Sequence, residues 1–160
     1  MPLNLNIVKQ RMADFIEACE HRGVKITHQR IEIYRVLAET DEHPDVETIH
    51  HRVCEKIPRV SLDTVYRNLK LLAEHGLVTA VGLTQERLRF DANISPHHHF
   101  VCLQCGAIHD FTSDKLHNLG VPGEAVQHGQ PISMRVEIKG ICNACQTRST
   151  PSSQPVGSNK

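Results

Sequence analysis

Three observations predict an α+β fold in two parts. Residues 3–74 carry apolar side chains at helical spacing, and the later runs switch to short strand-like alternation. Two Cys-x-x-Cys pairs, Cys102/Cys105 and Cys142/Cys145, stand at the ends of those later runs with 36 residues between them. Helices followed by a β-hairpin are the pattern of a winged helix-turn-helix, and the remainder forms a small α/β unit. The domain bounds that follow are 1–90 and 91–146, with a Ser- and Pro-rich tail at 147–160 whose lack of apolar residues predicts disorder.

Taken in order, Leu5, Val8, Met12, Phe15, Ile16 and Cys19 repeat at helical steps, and Gly23 ends a first helix. Thr27 caps a second helix, with Ile31, Tyr34, Leu37 and Ala38 on its apolar side. Asp45, following Pro44, caps a third that buries Val46, Ile49 and Val53 and stops before Pro58. Ser61 caps a fourth. Its apolar stripe is Leu62, Val65, Leu69 and Leu72, its opposite face Asp63, Tyr66, Arg67, Lys70 and Glu74, and its stop Gly76. The runs LVTAV and RLRFD, with Gly82 and Gln85 between them, make the hairpin. Strands are expected at 98–103, 107–111 and 132–141, and a short helix near 113–120.

Composition narrows the function. With 39% apolar residues but only four Phe, two Tyr and no Trp, the core is mostly aliphatic. No run is long enough to cross a membrane, and MPLNLNIVKQ lacks the apolar stretch of a secretory signal, which predicts a cytoplasmic protein. In that reducing compartment six cysteines argue for metal over disulfides. Basic and acidic residues balance at 18 each, so any DNA contact must come from local patches. Two such patches exist: Arg22, Lys25, Arg30 and Arg35 against Glu32, and Arg59, Arg67 and Lys70 against Asp63.

Two ligand sets separate by chemistry. Paired Cys-x-x-Cys knuckles give zinc a closed tetrahedron of four sulfurs; two disulfides or a thioredoxin-like pair are the alternatives. On a strand, His97 and His99 face one side and His98 the other, so His97 and His99 can share one ion. Asp91 and Asp110 flank them, and a mixed nitrogen/oxygen set suits iron, manganese or zinc. A solvated polyhistidine patch is the alternative. Cys19 and Cys54 read as small core residues.

The motifs S-L-D-T-V-Y-R-N-L, H-H-H-F-V-C-L-Q-C-G and C-N-A-C, in that order across residues 15–146, resemble the ferric uptake regulator family of metal-dependent bacterial repressors. The resemblance implies a homodimer with an N-terminal winged helix and a C-terminal dimerisation domain, bound to a palindromic double-stranded DNA operator. It places structural zinc on Cys102, Cys105, Cys142 and Cys145, DNA reading on Tyr66 and Arg67, and a minor-groove lysine on Lys25, with Lys70 beside them in the basic patch. The regulatory Fe2+ or Mn2+ falls on His43, Asp91, His97, His99 and Asp110. Aspartate at both carboxylate positions resembles the peroxide-responsive members more than the iron sensors, which carry Glu there. In those members the oxidised group is a ligand imidazole, here His43 or His97. A further family site would fall on Pro96, His98, His117 and Met134, a set poor in ligands. An iron or zinc sensor without peroxide chemistry would use the same five ligands, and a metal-dependent hydrolase is the rival from another class.

Overall fold

The structure, a computed structural model, describes residues 3–82, 88–131, 134 and 136–149. It divides into two compact units, Met1–Ser95 and Pro96–Lys160. Asp91 to Ser95 therefore fold with the first unit.

The first unit begins with four helices: α1 (Leu5–His21), α2 (His28–Ala38), α3 (Val46–Cys54) and α4 (Leu62–Glu74). All four start where a side chain can replace the missing helical acceptor: Asn4 accepts from Asn6 N at 2.9 Å at the start of α1, and the other three follow the same rule. Thr27 accepts from Arg30 N, Asp45 from Thr48 N at 2.8 Å, and Ser61 from Thr64 N at 3.1 Å. Each such cap contributes about 1 kcal/mol. Helix α2 packs against α1, α3 and α4, and its buried face is correspondingly wide. Ile33, Tyr34, Val36, Leu37 and Ala38 are all buried, whereas Ile31 is only half-buried. Phe15 of α1 stacks flat on Tyr34 at 3.9 Å between centroids. The Tyr34 hydroxyl donates to the carbonyl of Ala92, 3.4 Å away, which anchors the chain just beyond Asp91.

Strands β1 (Thr79–Val81) and β2 (Arg89–Asp91) pair antiparallel, with Thr79 opposite Asp91. Four helices and this hairpin are the winged-helix arrangement expected from the sequence; residues 83–87, including Gln85, lie outside the described residues.

The second unit is a three-stranded sheet in the order β4-β3-β5. Central β3 (His98–Cys102) runs antiparallel to β4 (Ile108–Phe111) and parallel to β5 (Glu137–Gly140). Three short helices, α5 (Asp114–His117), α6 (Gly123–Val126) and α7 (Asn143–Ser149), complete it. At Gly140, opposite Cys102, the Phe100 ring packs so that an added Cβ would stand 3.0 Å from it and the ring would have to shift.

Several expectations need correction. Leu62 is 42% exposed, because it is the first residue of α4 and precedes the turn that reaches the core. Leu5 and Ile16 likewise sit on the outer side of α1. Strand β5 covers only Glu137–Gly140 of the 132–141 run, in which residues 132, 133 and 135 lie outside the described residues. Helix α7 carries regular structure to Ser149, into the segment expected as a disordered tail; residues 150–160 are outside the described residues.

Leu69 is fully buried and Leu62 is not. Leu69→Ala is expected to destabilise the zinc-loaded protein by about 2–5 kcal/mol in chemical denaturation, and Leu62→Ala by less than about 0.5 kcal/mol. Equal effects would contradict this placement of α4.

Candidate metal centres and nucleic-acid surface

The four cysteines converge. Cys102 ends β3, Cys105 closes the turn after it, and Cys142 and Cys145 flank the start of α7, so residues 40 apart in the chain meet across the β3–β5 pairing. Gly106 takes φ 72° and returns its N–H to the Cys102 carbonyl, the left-handed turn that a tight Cys-x-x-Cys-Gly loop requires. All four sulfurs lie within 4.8 Å of one another, and Cys105 Sγ is 3.7 Å from Cys142 Sγ. Zinc–sulfur bonds of 2.3 Å in a tetrahedron place sulfurs about 3.8 Å apart, so the set fits zinc.

The site is electrostatically prepared. The backbone N–H groups of Cys105 and Cys142 point at the Cys102 sulfur and pull its pKa down to about 6. Burial, followed by the neighbouring thiols, pushes Cys145 up to about 12. Four thiolates can coexist there only around a cation.

Two further groups of donors occur, one in each unit. In the first unit, His43 Nε2 lies 3.5 Å from Asp91 Oδ2, both residues buried, while Asp91 Oδ1 accepts from Asn93 N at 2.7 Å. His43 adopts φ 51°, the only positive φ of a non-glycine residue among those described. That conformation costs on the order of 1–3 kcal/mol, and the following Pro44 already steers residue 43 towards extended backbone. In the second unit, His97 Nε2 and His99 Nε2 are 2.9 Å apart, and Asp110 Oδ1 lies 3.4 Å from His99 Nε2 and 3.8 Å from His97 Nε2. The register of β3 on β4 sets Asp110 directly opposite His99. Neighbouring ligands about 2.1 Å from one octahedral ion stand about 3 Å apart, so each group has metal-ligand spacing. Neither group alone fills a coordination sphere.

His98 faces the other side of β3, its ring 4.9 Å from that of His117 and 5.5 Å from Phe111. Both His117 nitrogens lie against carbonyls, Ser113 O at 2.9 Å and Pro96 O at 2.8 Å, which raises its pKa and engages the lone pairs a metal would need. Met134 is exposed. Of the set Pro96, His98, His117 and Met134, only the two histidines offer ring nitrogens, and both of those of His117 lie against carbonyls.

On α4, Tyr66, Arg67 and Lys70 point outward, and Lys25 is exposed in the turn before α2. Arg67 pairs with Asp63 at 2.9 Å and Lys70 with Glu74 at 3.9 Å, all four side chains well exposed. Pairs of that kind contribute only about 0–1 kcal/mol, so exchanging the carboxylate for a nucleic-acid group costs little. Arg30 and Arg22, counted by sequence within the basic patch, are structural. Arg30 Nε donates to Asn68 Oδ1 at 3.0 Å and its guanidinium also reaches the Lys25 carbonyl, while Asn68 donates to Thr64 O at 2.8 Å. This bond chain ties α4 to the turn that carries Lys25. Arg22 donates to the His75 carbonyl at the end of α4.

Cys102→Ser and Cys142→Ser are each expected to release zinc and unfold or dissociate the second unit, because binding free energy at such a site is folding free energy. Zinc content and circular dichroism check this. A zinc-free protein with unchanged stability would refute the assignment.

Residues 21–138 match the profile of the Ferric uptake regulator family. The peroxide-responsive repressor PerR of Staphylococcus aureus is 29% identical over 148 residues, which are 92% of this chain and 100% of that protein. Among solved structures, the Helicobacter pylori ferric uptake regulator Fur aligns with a TM-score of 0.67 over 91% of this chain and 97% of its own; at 24% identity this is a likeness of fold. A zinc-bound manganese uptake regulator aligns with a TM-score of 0.56 at 27% identity, over 80% of this chain and 98% of its own. With a profile match running from the end of α1 into β5, the chain belongs to the ferric uptake regulator family.

Proposed function

We propose that this protein is a cytoplasmic, homodimeric, metal-dependent transcriptional repressor, and that iron in its regulatory site makes it a sensor of peroxide. The observation that carries this reading is the pair of incomplete donor groups, His43 with Asp91 in one unit and His97, His99 and Asp110 in the other. One Fe2+ or Mn2+ held by all five would link the units, and with them the spacing of the two α4 helices of a dimer. Metal binding and operator binding then share a coupling free energy. Tyr66, Arg67, Lys70 and Lys25 are the DNA contacts in this reading, and the four cysteines hold structural zinc.

Aspartate at 91 and 110, together with similarity to a peroxide-responsive repressor, favours peroxide sensing over iron sensing. Five protein ligands would leave an octahedral ion one position for peroxide. Iron(II) held by these residues would supply the electron that splits a peroxide O–O bond, which manganese and zinc would give far less readily. As ligands of that ion, His43 and His97 would be the targets of the oxidant; net, one peroxide oxygen would enter an imidazole ring and water would leave. An oxidised ring is a poorer ligand, so the metal and the DNA are released together. The zinc-bound cysteines have their own oxidation ladder but are shielded by the metal.

Mild peroxide treatment of iron-loaded and manganese-loaded protein, followed by mass spectrometry, tests this. The expected result is a one-oxygen increase on the His43 or His97 peptide, only with iron, accompanied by loss of DNA binding. Oxidation confined to cysteines, or iron-loaded protein that keeps its DNA, returns the reading to an iron- or zinc-responsive repressor.

A further inference from the structure

Three consecutive residues of β2 hold the loop that presents His43. Arg89 Nη1 donates to the His43 carbonyl at 3.3 Å, Phe90 N donates to the Pro44 carbonyl at 3.0 Å, and Asp91 Oδ2 lies 3.5 Å from the His43 imidazole. Arg89 also forms an isolated antiparallel bridge with Asp45, the residue that caps α3. Upstream, Arg11 reaches the carbonyls of Ala38 and Thr40 and pairs with Asp41 at 2.8 Å. Of the contacts from β2, the ones from Arg89 and Asp91 both reach His43, and that from Arg89 holds its backbone, which is in the left-handed region. A left-handed residue before proline persists only where its surroundings over-determine it.

We propose that Arg89 is a positioning residue of the regulatory metal site: its guanidinium holds the His43 carbonyl, fixes the left-handed turn, and so aims the imidazole towards Asp91. Phe90 and Asp91 serve the same loop, but their roles are fixed by core burial and by the carboxylate itself. Arg89 is half-buried and outside the hydrophobic core, and its other partner is Asp45, whose carboxyl it helps Thr48 hold ionised beside the same loop. It sits on the second strand of the hairpin, opposite Val81, so the same contact ties the wing to the metal-binding loop. The inference rests on His43 being a ligand, and the experiment separates the two.

The test is Mn2+ affinity of the zinc-loaded full chain by isothermal titration for wild type, Arg89→Ala, His43→Ala and the double variant. Arg89→Ala is expected to weaken Mn2+ binding by about 10–100-fold, the usual effect of removing a group that orients a ligand, with zinc content unchanged. In the His43→Ala background the same substitution is expected to change affinity by less than about twofold, because the two residues act as one unit. Arg89→Lys, which still offers an N–H to the carbonyl, is expected to recover most of the loss. Equal losses in both backgrounds, no loss in the wild-type background, or a lysine no better than alanine would overturn the proposal while leaving the ligand assignment intact. An unchanged affinity in His43→Ala alone would overturn the ligand assignment and the proposal with it. Should Arg89→Ala fail to fold, Arg89→Met keeps the apolar stem without the donor, and the same outcomes apply.

Discussion

The second unit depends on the in-register pairing of β3 with β5, which the four cysteines close. Cys102 sits opposite Gly140, and the N–H of Cys142, two residues later, points at the Cys102 sulfur. A sheet of three short strands needs an apolar face or a packed helix to stand by itself, and among the described residues of this unit the buried apolar side chains are Val101 and Cys102 of β3 and Cys145 of α7. Four thiolates around one zinc substitute for the missing core. The constraint reaches further than the knuckles: β3 ends in the zinc site and begins at His98, so fixing β3 between its neighbours also fixes how His97 and His99 meet Asp110.

The two kinds of metal centre divide the labour by completeness. The sulfur set is saturated and closed, as suits a structural ion. The histidine and aspartate groups are each unsaturated, and each is held by the local logic of its own unit: strand register for His97, His99 and Asp110, a strained loop braced by β2 for His43 and Asp91. In the proposed function that incompleteness is the source of regulation. In that proposal an ion that recruited both groups would convert metal concentration into a relation between the two units, and chemistry that spoiled one imidazole would reverse it.

Much of this was legible in the sequence, for identifiable reasons. Thr27, Asp45 and Ser61 announce their helices because capping is a local property of one side chain and the next three N–H groups. The paired Cys-x-x-Cys motifs announce zinc because that spacing brings two sulfurs of one tight turn onto one ion. Leu62 misled because periodicity assigns a face but cannot tell that the first turn of α4 precedes the core. Helices α6 and α7 carried no signal: α6 is four residues long, and α7 is polar and begins within a metal knuckle. Arg30 and Arg89 were invisible in a different way. Their partners, Asn68 and His43, are 38 and 46 residues away, and an arginine that donates to a carbonyl looks in sequence like any basic residue. His43 itself was reachable only through resemblance, since a histidine before proline reads as a turn residue until its left-handed backbone and its approach to Asp91 are seen.

The central claim is that one regulatory ion requires ligands from both units and thereby fixes their relation. Small-angle X-ray scattering of the zinc-loaded protein during Mn2+ titration measures this directly, comparing wild type with His43→Ala and with His99→Ala. The account predicts a saturable change in the scattering profile of the wild type at one added ion per chain, and its loss when either histidine is removed, although they belong to different units. A change that survives His43→Ala, or tight stoichiometric Mn2+ binding with no change in the wild-type profile, would contradict it.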